Sequence, residues 1–72
     1  MKREHRIEQD KTAILGHLRT ARRTVARDLA QRTGMPLVNV YEALVSLESD
    51  GFACVEITHN QTAVVRREWV AT

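Results

Sequence analysis

The chain is expected to be mainly α with a small β-hairpin, three helices followed by two antiparallel strands, and three observations lead there. Apolar residues recur at helical spacing from Ile7 to Leu18 and again from Val25 to Leu47. Thr33-Gly34-Met35-Pro36 breaks that rhythm with the stop and start signals of two adjoining helices. Phe52 to Thr58 and Thr62 to Val70 are rich in β-formers and are separated by the polar run His59-Asn60-Gln61.

The first helix is expected from about Arg3 to Leu18. Ile7, Ile14, Leu15 and Leu18 form its apolar stripe, and Lys11 completes it through the aliphatic stem. Gly16 weakens this helix by about 1 kcal/mol relative to Ala without ending it. Arg19 to Arg23 is polar and non-periodic, a loop or a very short strand. Thr24 is the expected N-cap of a second helix running to Thr33, its hydroxyl accepting a free backbone N–H. Val25, Ala26, Leu29 and Ala30 form the buried face, and the two alanines allow another helix to approach closely. Gly34 is a natural left-handed stop.

Pro36, with φ preset and no N–H, suits the first turn of a third helix ending near Ser49, a span of roughly 20 Å. Two helices joined by so short a glycine-containing turn make a helix-turn-helix. Leu37, Val38, Val40, Tyr41, Leu44, Val45 and Leu47 cover about half of the third helix, more than the roughly 100° stripe a surface helix needs. Gly51 then stops it. In the hairpin, expected over about 52–58 and 62–70, Val55 and Ile57 share one face with Glu56 on the other, and Asn60 is suited to a positive φ in the turn.

Length and composition bound the function. Seventy-two residues, 43% of them apolar, make one domain spanning 1–72. A core of this size rarely supplies more than roughly 3–5 kcal/mol, so a homodimer or a partner is expected. The single Cys54 forms no intrachain disulfide, and with no signal peptide or long apolar run the chain is expected to be cytoplasmic and off the membrane. The net charge of +2 is unevenly spread. Residues 1–33 carry nine Lys or Arg against four Asp or Glu, whereas residues 34–72 carry two against five. No Lys or Arg occurs between Thr33 and Val65. Such asymmetry orients a protein on a polyanion.

Enzymatic chemistry is not expected. The chain has no glycine-rich phosphate loop and no nucleophile elbow, and Cys54 has no histidine close in sequence. His5, His17 and His59 are scattered and lack metal-ligand spacing with Cys54, so neither a metal nor another cofactor is expected.

Val25, Ala26, Leu29 and Ala30, the Thr33-Gly34-Met35 turn, and the run Val40-Tyr41-Glu42-Ala43-Leu44-Val45-Ser46-Leu47-Glu48-Ser49-Asp50-Gly51-Phe52 together resemble the winged helix-turn-helix superfamily, notably small DNA-binding regulators of bacterial or phage type. The resemblance spans nearly the whole chain. It implies that the third helix lies in the major groove of double-stranded DNA and that the hairpin, or wing, touches flanking DNA. On that reading the base-contacting positions are Leu37, Val38, Asn39 and Glu42. Asn39 suits adenine, the aliphatic pair suits a thymine methyl and Glu42 suits cytosine N4. Arg22, Arg23, Thr24, Arg27 and Tyr41 fall to the phosphate backbone, and His59, Asn60, Gln61 and Thr62 are the wing contacts. Arg66 and Arg67 reinforce the wing if their strand lies near. The expected function is therefore a small dimeric transcriptional regulator. The alternative is a protein-interaction module that binds a partner through the apolar side of the third helix.

Overall fold

A computed structural model describes residues 3–21, 23–59 and 61–72; Arg22 and Asn60, two of the expected DNA contacts, lie outside them. The element order is α1 (Arg3–Thr20), α2 (Ala26–Thr33), α3 (Leu37–Ser49), β1 (Ala53–His59) and β2 (Val64–Ala71). Each expected element is present with ends moved by one to two residues, the usual scatter of helix and strand boundaries.

One cluster of buried apolar side chains joins all five elements. Ile14 and Leu18 come from α1, Ala26 and Leu29 from α2, and Val40, Ala43, Leu44 and Leu47 from α3. Ala53 of β1 and Trp69 of β2 close it from the hairpin side. Trp69, at 5% exposure, packs into this body. The strands pair antiparallel with Val55 opposite Trp69 and Ile57 opposite Arg67, so one hairpin face covers the helices near its base and runs past them towards its tip.

Thr24 departs from its expected role. Val25 occupies the N-cap, with φ −107° and ψ 155°, and no side chain caps α2. Thr24 is buried and pairs with Trp69 as a third, single-residue strand: its N–H donates to the Trp69 carbonyl at 3.1 Å, and its carbonyl accepts from the Trp69 N–H at 2.7 Å. That pairing satisfies two backbone groups that burial makes costly to leave open. The hydroxyl turns to the Val25 carbonyl at 3.4 Å and is not available to the helix end.

The α2–α3 turn follows its sequence signals. Gly34 adopts φ +72°, and its N–H donates to the Ala30 carbonyl at 2.9 Å. The Thr33 hydroxyl donates to the Leu29 carbonyl at 2.6 Å and accepts from the Met35 N–H at 3.3 Å. Gly34→Ala is therefore expected to destabilise the fold by about 1–2 kcal/mol, the cost of a β-carbon in the left-handed region. Gly16, exposed within α1 with open space around it, is the counterpart. Gly16→Ala is expected to stabilise by about 0.5–1 kcal/mol, and thermal melts of the two variants should shift in opposite directions.

Two ion-pair groups tie α1 to α3. Arg6 reaches Asp10 at 3.4 Å and Glu42 at 3.5 Å. Lys11, its side chain 12% exposed, reaches Glu8 at 3.4 Å and also Asp50. The hydrogen bond to Asp50 outweighs partial desolvation and raises the Lys11 ammonium above its ordinary 10.5. A raised value stabilises the folded state fully below pH 10.5, and the contribution is lost as pH climbs through the raised value. Lys11→Met keeps the covering stem and removes the charge. It is expected to cost less than about 1 kcal/mol at neutral pH, as surface pairs do, and to match the wild type once pH exceeds the raised value in denaturant titrations.

Candidate nucleic-acid interface

The outer side of α3 is apolar. Val40, Ala43, Leu44 and Leu47 take the core side, which leaves Leu37, Val38, Tyr41 and Val45 at 43%, 64%, 42% and 56% exposure. The third helix carries more apolar residues than a core needs, and this surplus is what reaches solvent.

Beside that face lies a groove of about 460 Å³, bounded by the first turn of α2, the Leu37–Tyr41 edge of α3 and strand β2. Arg27, Arg66 and Arg67 line it together with Leu37, Tyr41 and Trp69. No described carboxylate pairs with Arg27 or Arg67, and both are exposed. Arg66 shares its Nε with Glu68 at 3.4 Å. Val25 and Ala26 bring the uncapped start of α2 to the same groove. A helix start without a side-chain cap leaves amide donors that favour an anion, so backbone and side chains concentrate positive potential in one place.

The expected contacts divide into those that meet at this groove and those that do not. Arg27, Leu37 and Tyr41 meet there. Val38 lies on the same solvent face, beside a second, more apolar groove of about 580 Å³ between α1 and α3. Asn39 is half-buried, turned about 100° round the helix from Val38, and lines neither groove. Glu42 faces α1, where Arg6 holds it. Thr24 is buried in its pairing with Trp69. His59, Gln61 and Thr62 are exposed at the tip of the hairpin.

Arg23 is engaged by the wing. Glu56 and Glu68 stand directly opposite each other across the strands, an unfavourable like-charge pair. The Arg23 guanidinium lies 3.3 Å from Glu56 and 3.9 Å from Glu68 and offsets their repulsion. Arg67 lines the groove, a placement that the sequence left conditional on where its strand lies. Strand alternation places it on the same face as Trp69, two residues on, and hence towards the helices.

Among the described residues no helix is long and apolar enough to cross a membrane, and no three His, Cys, Asp or Glu side chains gather at metal-binding distance. The sequence matches the IclR helix-turn-helix domain over residues 12–54, more than half of the chain, from within α1 to the start of β1. No curated protein matches it significantly. Among solved structures it is similar to the Zalpha domain from Carassius auratus PKZ, a crystal structure in complex with Z-DNA. The TM-score is 0.73 at 18% identity, covering 92% of this chain and 97% of that one. Three helices and a two-stranded antiparallel wing, superposable over that length, make this a winged helix.

Proposed function

The chain belongs to the IclR helix-turn-helix domain family, and from that premise we propose that it is a small DNA-binding transcriptional regulator. In this reading α3 enters the major groove, with Leu37, Val38 and Tyr41 nearest the bases. Arg27, Arg66 and Arg67 hold the phosphate backbone beside it, and His59, Gln61 and Thr62 touch flanking DNA. The observation that carries the reading is the convergence of three arginines from α2 and β2 on the edge of the exposed helix. Phosphates supply most non-specific affinity for DNA, and cations alongside a groove-sized helix are the arrangement that meets them.

The supports also bear on strength. Three arginine contacts per copy give modest affinity at physiological salt, so two copies on neighbouring half-sites, as a homodimer, are the form in which the protein regulates. Asn39 and Glu42 have less scope to read bases than their sequence positions suggest, one being half-buried and the other paired with Arg6.

Selection from random duplexes at two salt concentrations tests the proposal. Enrichment of a shared sequence, with affinity falling steeply as salt rises, is the expected result. Because the Carassius auratus domain is in complex with Z-DNA, a left-handed duplex belongs among the probes. No retention of any duplex at low salt would remove the proposal. It would favour a protein partner on the exposed Leu37, Val38, Tyr41 and Val45.

A further inference from the structure

The exposed face of α3 has a chemistry narrower than DNA binding alone requires. Leu37, Val38 and Val45 present only methyl and methylene groups. Of the polar side chains beside them, Asn39 is restrained by partial burial and Glu42 by Arg6, Tyr41 adds one hydroxyl at the tip of an otherwise apolar ring, and Ser46 is half-buried. Guanine in the major groove asks for donors, adenine for a donor and an acceptor together, and cytosine for an acceptor. An aliphatic surface pressed on those edges leaves their hydrogen bonds unmade, which disfavours them. One feature of the groove floor is itself apolar: the C5-methyl group of thymine. A 5-methylcytosine carries the same methyl at the same ring position.

We propose that α3 selects DNA by pyrimidine C5-methyl groups, with Val38 and Val45 as the specificity-determining residues and Leu37 assisting at the phosphate-proximal edge. The proposal rests on the DNA-binding reading. The occupant of this apolar face is taken to be a duplex and not a protein because its Leu37–Tyr41 edge adjoins Arg27, Arg66 and Arg67, the charge that phosphates complement, while Glu42 and Asp50 beside Val38 and Val45 are offset by Arg6 and Lys11. Binding is thus divided between two surfaces. The arginine groove supplies affinity without regard to sequence, and the aliphatic face supplies preference without charge. Thymine-rich sites and C5-methylated cytosine sites should be favoured over the same sequences without the methyl.

Fluorescence anisotropy with end-labelled duplexes separates the two surfaces. One probe carries thymine and its twin carries uracil at every thymine position, a change that removes only the methyl groups. A second pair differs only in cytosine against 5-methylcytosine, and circular dichroism confirms that each duplex is right-handed. The methyl-bearing member of each pair should bind more tightly by about fourfold for each contacted methyl, the factor that burying one such group gives. The dependence of affinity on salt should be the same for both members, since the phosphates are unchanged. Val38→Ala with Val45→Ala, both at exposed positions, should erase the preference while keeping the salt dependence.

Equal binding of thymine and uracil duplexes, with a steep salt dependence intact, overturns the methyl selection and leaves DNA binding standing. Absence of binding to every duplex overturns both. Self-association in sedimentation that the double variant abolishes, without methyl preference in the wild type, assigns the face to a second copy and likewise overturns the proposal.

Discussion

Replacing Arg27, Arg66 and Arg67 together with glutamine is expected to abolish useful DNA binding at physiological salt. Each phosphate contact contributes about 0.9 to the slope of log affinity against log salt, so losing three should flatten it by about 2.7. Extrapolated from 1 M salt, where such contacts contribute little, that change is on the order of a hundredfold in affinity near 0.15 M. The loss should be uniform across sequences, because phosphates carry no sequence information. Glutamine keeps length and polarity, and all three positions are exposed, so the fold should tolerate the change. Arg23→Gln is the internal control. Its guanidinium serves Glu56 and Glu68, so the slope should stay near the wild-type value. If the triple variant kept the full slope, the groove would not be where phosphates sit.

The second large effect is structural. Trp69→Ala is expected to cost about 3–5 kcal/mol, the usual range for a buried aromatic. A chain this short has roughly that much net stability, so the variant should be mostly unfolded at room temperature. Three losses coincide at this residue. The indole fills the space where the hairpin meets the helices, its backbone holds Thr24 through bonds of 2.7 and 3.1 Å, and it walls the arginine groove. Circular dichroism in denaturant measures the loss, and Trp69→Phe should recover a large part of it. A near-native midpoint for the alanine variant, or a loss that depends on protein concentration, would place the indole at a contact between copies.

Much of the architecture was legible because it depends on local rules. The helix stripes, the Thr33-Gly34-Met35-Pro36 junction and the β-rich segments about the wing turn each specify their own conformation within a few residues. Gly34 at φ +72° and Gly51 at φ +86° are where a left-handed backbone was expected to end a helix. The core followed as well, since periodic apolar positions in elements of known order have few ways to be buried together. What local rules did not reach was tertiary. Thr24 looks like an N-cap in isolation, but a strand forty-five residues further along claims its backbone. Arg23 is read as a phosphate contact, and the sequence does not show that two wing carboxylates that face each other lie 3.3 and 3.9 Å from it. Glu42 is read as a base contact, and only the fold shows that Arg6 of α1 stands beside it.

By itself, then, the sequence determined the three helices, the wing, the order of elements and the unusual shortage of cations on the third helix. Those properties reside in spacing and composition, which are fixed before the chain folds. Only the tertiary structure decided which charges are spent on each other and which face outward. Arg27 and Arg67 are separated by forty residues and come to one groove because β2 is held beside α2 through Thr24 and Trp69. Coulomb interactions depend on distance through space, and sequence separation carries almost no information about it until the core has formed.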